Sequence, residues 1–598
     1  MQPKTPSPTL NPRAGGATAA PPSARPAIMA GEYAISAGHY LASEAGMAIL
    51  NGGGNAIDAG VAAGLAMGVV QSDLVNIAGV APIMMWIAES NELVCIDGLG
   101  TWPAAMTPDL FMREHGGVVP DGLLRTVVPG SPAAWLTALE RYGSMSFADV
   151  AEAAIRLARD GFAIDPFMCS VIEDNAEGYG RWPSNAAVYL PEGRPPRPGE
   201  RFLQRDLATT LQYMCDEEAA HVSKGREAGI RAAYNAFYRG DIARAITDYH
   251  RGHGGLLQMS DLSEYSVRFE PTVATRFAGY DIHCCGPWSQ GPALAQAMGI
   301  LEGIDLRALG HNTTACIHTM TEAIKLAFAD REYYFGDPRF VDVPMDALVS
   351  EEYLALRRRL IRDERAWPDL PPPGDPRVPL AEHAGYRAAS GNGQNPTDSR
   401  EPPSLDTSYV CAVDKQGNVF SATPSDVSYQ TPVIPGTGLC PSSRGSQSRP
   451  DPEHPSSVAA GKRPRLTPNP AMALADGKPF MVFGTPGGDV QVQAMAQLLV
   501  NVMVYGLDVQ SAIEAPRFVS YSYPSSFAPN PHFPGLLMVE ARIPAQTRDA
   551  LTALGHDVEA WPDLTRKAGS LCAIRIDPVT GFLHAGADPR RAGYAMGR

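Results

Sequence analysis

The first clear pattern along the chain is a run of small apolar residues interrupted by one glycine-rich break. The segment AISAGHYLASEAGMAILNGGGNAIDAGVAAGLAMGVVQSD predicts two helices separated by a glycine turn, with Asn55 placed to cap the second. Ala, Gly and Met cover most faces of that second helix, the composition of a helix buried all round inside a large α/β domain. The GGGN turn could also cradle phosphate, but it is not G-x-G-x-x-G and no clear strand precedes it, so packing is the reading adopted. From about residue 108 to residue 362 the pattern is largely helical and broken by proline-rich turns, with an extended stretch near residues 272–285. Within it, HTMTEAIKLAFADREYYFGDP sets Met320, Ala323, Ile324, Ala327 and Phe328 at helical spacing and stops at Gly336 and Pro338.

Periodicity then fails. Residues 367–405 are too polar and too rich in Pro and Gly to pack as an element, and a loop this long is usually either functional or a domain junction. A β pattern follows at once in TSYVCAV and NVFSAT, joined by DKQG, where Asp414 takes the first turn position and Gly417 supplies the positive φ of a hairpin starting at Thr407. Further on, MVFGTPGGDVQVQAMAQLLVNVMVYG predicts a short strand, a glycine turn and a helix with apolar positions at Val492, Met495, Ala496 and Leu499.

A length of 598 residues allows several domains or one large layered domain with long insertions. With 49 Lys+Arg against 64 Asp+Glu, a net charge of −15 argues against nucleic acid or an anionic membrane as the main partner. No apolar run reaches the length of a membrane span; the most apolar one, residues 59–70, stops at Gln71 and Asp73. Residues 1–30 have no apolar core of a secretory signal and read as a disordered lead-in, so a cytoplasmic location is expected. The nine cysteines form no C-x-x-C pair and read as buried small hydrophobes. His250 and His253, in HRGHGG, read as a solvated turn, since no Cys or carboxylate pattern accompanies them. No metal or cofactor is implied, and nucleophile elbows, H-E-x-x-H, Walker and EF-hand patterns are all missing.

The candidate chemistry lies where the linker meets the β pattern, in SLDTSYVCAV. An N-terminal threonine can act as nucleophile and carry its own base, because an α-amine titrates at about 7.7–8.0 and sits beside the hydroxyl. Such an amine at Thr407 requires a cut after Asp406, with the Thr407 hydroxyl attacking the Asp406 carbonyl to give an ester that water opens. A flexible upstream linker suits that step. Composition alone favours the other reading, a surface loop entering an ordinary strand.

At these residues the sequence resembles the γ-glutamyltransferase family of N-terminal-nucleophile (Ntn) hydrolases. The matching pieces are Thr407, the V-D-x-x-G-N turn at residues 413–418, the hydroxyl residues Ser421, Thr423 and Ser425, PGTG, GKRP, GTPGGD and AGADPR. Upstream they include GGGNAIDA, VPGS, GPWSQGPALAQAM and EAIKLAFADREYYFGDPRF, so the resemblance covers nearly the whole chain after the lead-in. It implies an α/β (α+β) fold, the four-layer αββα sandwich, split into a large subunit (31–406, ending in the linker) and a small one (407–598) that stay associated. Thr407 is then nucleophile and base, the Gly487–Gly488 turn the oxyanion hole, and Ser425 the counterpart of a second threonine beside the nucleophile.

The departures from the family bear on substrate. Leu99 stands where γ-glutamyl-specific members carry the arginine for the α-carboxylate. In the run at residues 442–447, Arg444 and Gln447 replace the Glu and Asp that hold the α-ammonium; Val427 replaces a supporting asparagine, and Leu466 the first of a serine pair, followed by Thr467. A cation does not favour an ammonium and suits a carboxylate, so Arg444, with Gln447 and Thr467, points to an anionic acyl amide without an adjacent ammonium, of oxamate type; an outward-facing or structurally paired arginine is the equal alternative. The two rival readings are a true γ-glutamyltransferase or glutathione hydrolase, and an unprocessed binding protein on the same fold. Homodimers or larger assemblies stay open.

Overall fold

The computed structural model describes residues 23–377 and 407–598. Two antiparallel sheets face each other at its centre. The six-stranded sheet runs in the order Tyr594–Gly597, Ala34–Ala37, Val410–Val413, Val419–Ala422, Ile83–Ile87 and Glu92–Ile96. The seven-stranded sheet runs Ile28–Ala30, Leu583–Ala587, Cys572–Ile576, Lys478–Gly484, Ala471–Ala475, Tyr280–Cys284 and Val273–Phe277. Side chains alternate across each strand with a period of two, which sorts the apolar residues into three layers. Cys411, Val413 and Val419 meet Met472, Val482 and Ile574 between the sheets. Val410, Ala412 and Phe420 turn outward onto the helices Tyr40–Asn51, Ala56–Val70 and Ser131–Tyr142. On the opposite face, Ala471, Met481 and Phe483 pack on Gly291–Leu301, Thr314–Tyr334 and Val490–Leu499. The result is helix, sheet, sheet, helix: the expected αββα sandwich.

Local sequence explains the main elements. Every residue of Ala56–Val70 is buried, as its small-residue composition predicts, and Asn55 caps it by accepting from the Ile57 and Asp58 N–H groups. Gly60 is needed there because a Cβ would lie 2.0 Å from the Phe420 ring. The N-terminus of this helix receives the chain's own carboxylate: Ala56 N–H donates to Asp414 at 2.8 Å, and Asp414 also accepts from Gln416 and Asn418, which fixes the hairpin turn. The helix over residues 314–334 and the strand, turn and helix around GTPGGD also form as expected, the last helix continuing into a π-turn at Val500–Val504. All nine cysteines are buried and unpaired.

Four expectations need correction. Residues 34–37 open the predicted first helix but form a central strand, because pairing with Val410–Val413 outweighs local helix preference. The lead-in is shorter than 1–30: Ile28–Ala30 pairs with Leu583–Ala587, and the Arg25 N–H is held by Glu514 at 3.1 Å. Residues 367–377 form no helix or strand, yet they are anchored. Gly374 N–H donates to buried Asp330, and Trp367 N–H to Glu322; the remainder of the linker, with Asp406, lies outside the described residues. His250 is not on a solvated turn. It ends the helix Asp241–Gly252 on the buried stripe of Ile242 and Ile246, and burial lowers its pKa to about 4.

Candidate active site

Thr407 sits three residues before the start of the strand Val410–Val413, where Ser408 N–H still pairs with the Pro424 carbonyl. The hairpin therefore brings Thr407 opposite Ser425, and their hydroxyl oxygens are 2.5 Å apart, both fully buried. The Leu74 carbonyl accepts from the Thr407 N–H at 3.2 Å and from the Asp426 N–H at 3.0 Å. Both residues are held at positive φ, 89° for Thr407 and 138° for Asp426. For a β-branched residue that conformation costs about 1–3 kcal/mol and persists only because its surroundings enforce it.

Arg444 lies in a single helical turn, Arg444–Gln447, and is 1% exposed. Its Nη2 donates to Ser425 Oγ at 2.5 Å, and its Nε faces the Asp426 carboxylate at 3.7 Å. Asp426 also accepts from the Ser442 hydroxyl at 2.6 Å and the Ser443 N–H at 3.0 Å. Burial raises the Asp426 carboxyl above the usual carboxylate range, while Arg444 and the two serines act against that shift.

The glycine turn adjoins this group. The Arg444 guanidinium stands 5.6 Å from the centre of the Phe527 ring, and a Cβ at Gly488 would lie 3.1 Å from the same ring. Gly487 and Gly488 have φ of 125° and 56°. Among the described residues neither of their N–H groups finds a protein acceptor, and both lie at the start of the helix Val490–Leu499. Unmatched donors at a helix N-terminus favour negative charge. Tyr521, Tyr523, Phe527 and Phe533 line a small cleft against the turn.

Gln290 ties the remaining predicted residues to the turn. Its amide donates to the Gly488 carbonyl at 2.8 Å and to the Thr467 carbonyl at 2.9 Å, while Gln447 donates to the Thr467 hydroxyl at 2.9 Å. The sequence reading therefore named Thr407, Ser425, Arg444, Gln447, Thr467, Gly487 and Gly488, and the fold brings all of them into one contiguous group. It missed four neighbours: Asp426, Phe527, Gln290 and Arg331. Arg331 donates to Gln290 and pairs with Asp489 at 2.5 Å, and Asp489 in turn fixes Ser526 beside Phe527. Gln290, Arg331 and Asp489 sit inside motifs already noted, but their partners are far away in sequence and no local signal pairs them. Leu99 packs in the apolar layer between the sheets, and Leu466 and Val427 are buried as well.

Among the described residues, His318, Glu322 and His556 are close enough together to share a metal ion. Most of their polar atoms are bonded within the protein: His318 bonds His556 at 2.9 Å and the Arg362 carbonyl at 2.8 Å, and Lys325 donates to Glu322 at 2.8 Å, while the buried His556 Nδ1 has no partner among the described residues. The cluster is on the far side of a helix layer and anchors the chain at residues 362–367.

A family model described as Gamma-glutamyltranspeptidase matches residues 42–598, and the chain belongs to this family. It is 34% identical over 560 residues to the Acylase ACY 1 proenzyme of Pseudomonas sp. (strain V22), covering 90% of this chain and 89% of that protein. It is 31% identical over 563 residues to the Glutathione hydrolase-like YwrD proenzyme of Bacillus subtilis (strain 168), covering 94% and 97%. The crystal structure of cephalosporin acylase from Bacillus halodurans superposes with a TM-score of 0.82 at 26% identity, over 99% of each chain. The sandwich is thus the Ntn-hydrolase fold of this family, and the protein is an amide-hydrolysing or acyl-transferring enzyme. No described helix is long and apolar enough to cross a membrane.

Proposed function

We propose that the chain cuts itself between Asp406 and Thr407 and that the exposed Thr407 is the nucleophile of an amidohydrolase or acyltransferase. The observation that carries this reading is the buried hydroxyl pair of Thr407 and Ser425, 2.5 Å apart, adjoining a glycine turn whose N–H groups have no acceptor among the described residues. In the uncut chain the Thr407 Oγ bonds to the Asp406 carbonyl carbon, the C–N bond breaks, and the hydroxyl proton ends on the Thr407 nitrogen. Water then opens the ester, leaving a carboxylic acid at Asp406 and an amine and a hydroxyl at Thr407. In turnover the amine takes the hydroxyl proton as Oγ attacks the donor amide, and it returns that proton to the departing amine. The Gly487 and Gly488 N–H groups stabilise the oxyanion.

For the donor, the reading is an acyl amide with a carboxylate and no adjacent ammonium, oxamate or a related small monoamide, held by Arg444 with Gln447 and Thr467. Support comes from the guanidinium beside the nucleophile and from Leu99 being packed into the core. A denaturing gel with N-terminal sequencing tests the nucleophile: the smaller band begins at Thr407 in wild type, Thr407→Ala gives one inactive band, and Thr407→Ser retains part of both activities. Turnover of oxamate against a γ-glutamyl anilide tests the donor, and efficient γ-glutamyl transfer to dipeptides would refute that half of the reading.

A further inference from the structure

We propose that Arg444 is a positioning residue for the nucleophile: by pinning the Ser425 oxygen it commits the one Ser425 proton to the Thr407 oxygen, and so activates that oxygen in self-cleavage as well as in turnover. The inference deepens the function proposed above and rests on Thr407 being the nucleophile.

A guanidinium only donates hydrogen bonds. With Arg444 Nη2 on Ser425 Oγ at 2.5 Å, Ser425 accepts in that bond, and its own proton needs an acceptor. Among the described residues the side-chain contacts of Ser425 Oγ are Arg444 and Thr407 Oγ1, the latter also at 2.5 Å, and Ser425 and Thr407 are fully buried. Ser425 therefore donates to Thr407 Oγ1. A donor aimed at this oxygen lowers the cost of the negative charge it gains as its proton leaves for nitrogen, and the Arg444 charge, relayed through one hydroxyl, adds to the effect. Ser425 keeps its proton throughout; nothing passes along the relay. Asp426 holds the guanidinium in place, and Ser442 and Ser443 hold Asp426. These two serines open the same short run, residues 442–447, that carries Arg444.

Self-cleavage separates this role from a donor clamp, because it uses the Thr407 hydroxyl but no external substrate. Full-length wild type, Arg444→Met, Arg444→Lys and Ser425→Ala chains are made by cell-free synthesis, and conversion to two bands is followed with time. Loss of a charged hydrogen bond corresponds to about a ten- to hundred-fold slower self-cleavage in Arg444→Met. Arg444→Lys is intermediate, and Arg444→Met adds little once Ser425 is alanine. In processed enzyme kcat falls by the same factor on an anionic and on an uncharged acyl amide. A wild-type self-cleavage rate in Arg444→Met, or in Arg444→Lys where the methionine variant melts below the assay temperature, overturns the proposal. Raised KM confined to anionic donors, with self-cleavage unchanged, does the same and leaves only the clamp. Failure of the underlying nucleophile assignment appears separately, as a wild-type chain that does not yield a fragment beginning at Thr407.

Discussion

Replacing Gly487 or Gly488 by alanine tests the oxyanion turn, because the two positions differ in what a Cβ meets. Gly488, at φ 56°, lies in the left-handed helical region, which alanine enters at a cost of about 1–2 kcal/mol. Its Cβ would approach Phe527 Cε2 at 3.1 Å, and that ring can tilt toward the adjoining cleft. Gly487 is at φ 125°, where L residues are strained by about 1–3 kcal/mol, and its Cβ would press on Val490 Cβ at 3.2 Å, in the first turn of a helix that cannot give way as a ring can. The cheaper response at Gly487 is rotation of the peptide, which turns its N–H away from the reacting oxygen. Losing one such donor costs about 10²–10³ in kcat. Stopped assays with a chromogenic acyl amide, melting curves and gels of self-cleavage then give the comparison. Gly487→Ala loses kcat by that factor and cleaves itself more slowly while melting within a few degrees of wild type; Gly488→Ala loses less than about ten-fold. A Gly487→Ala enzyme with wild-type kcat would refute the assignment of this turn.

Acid sensitivity should report His250. Its pKa is lowered from 6.5 to about 4 by burial, so its contribution to stability is complete above pH 6.5 and is lost as pH falls toward 4, on the order of 2 kcal/mol by pH 5. His250→Leu should therefore show a smaller drop in melting temperature between pH 7 and pH 5 than wild type, and an equal drop would count against a buried neutral imidazole. Arg331→Met removes the cation that Asp489 and Gln290 share and leaves a buried carboxylate unpaired, at about 3–5 kcal/mol; both the melting temperature and kcat should fall, and unchanged values would show that the turn is held otherwise. Gly60→Ala forces a Cβ to within 2.0 Å of the Phe420 ring, so thermal scans should show a loss of about 1–3 kcal/mol or more, against near-neutrality if the helix can slide.

Thr407 was legible in the sequence because a linker meets a hairpin there, whereas Ser425, Arg444, Gln447, Thr467, Gly487 and Gly488 were named through the resemblance to the family. Gly417 and Asp414 announce a hairpin, and that hairpin alone places Thr407 across from Ser425. Burial direction was less legible. His250 looks like part of a polar turn in HRGHGG until the eight-residue spacing from Ile242 is laid on a helix. Residues 34–37 carry no strand signal of their own, since the partner strand that fixes them is nearly four hundred residues away. Long-range ion pairs were the least visible. Arg463 of GKRP bonds Asp97 and Asp337, so two separately noted motifs and a residue outside them are parts of one buried charge cluster, and burial raises the Asp97 pKa to about 6 despite that arginine.

The same topology would let the chain be cut at the proposed position without coming apart. Val410–Val413, three residues past the proposed cut, is an interior strand, paired on one side with Ala34–Ala37 from the N-terminal piece and on the other with Val419–Ala422. The seven-stranded sheet interleaves in the same way, with Ile28–Ala30 and Tyr280–Cys284 flanking four strands from the C-terminal piece. Separating the pieces would expose the apolar layer between the sheets, so the ladders would hold them together whatever happens to one peptide bond. The proposed cleavage would also remove a cost: positive φ is unfavourable for a β-branched residue, and Thr407 would no longer be held to that φ once the bond to residue 406 is cut. The Leu74 carbonyl already accepts from the Thr407 nitrogen, so under the proposed cleavage the new amine would inherit an anchor beside the Thr407 hydroxyl. On that proposal, strain in the intact chain and order in the cut one would come from the same contacts, so the fold would favour the break and keep the resulting threonine in place.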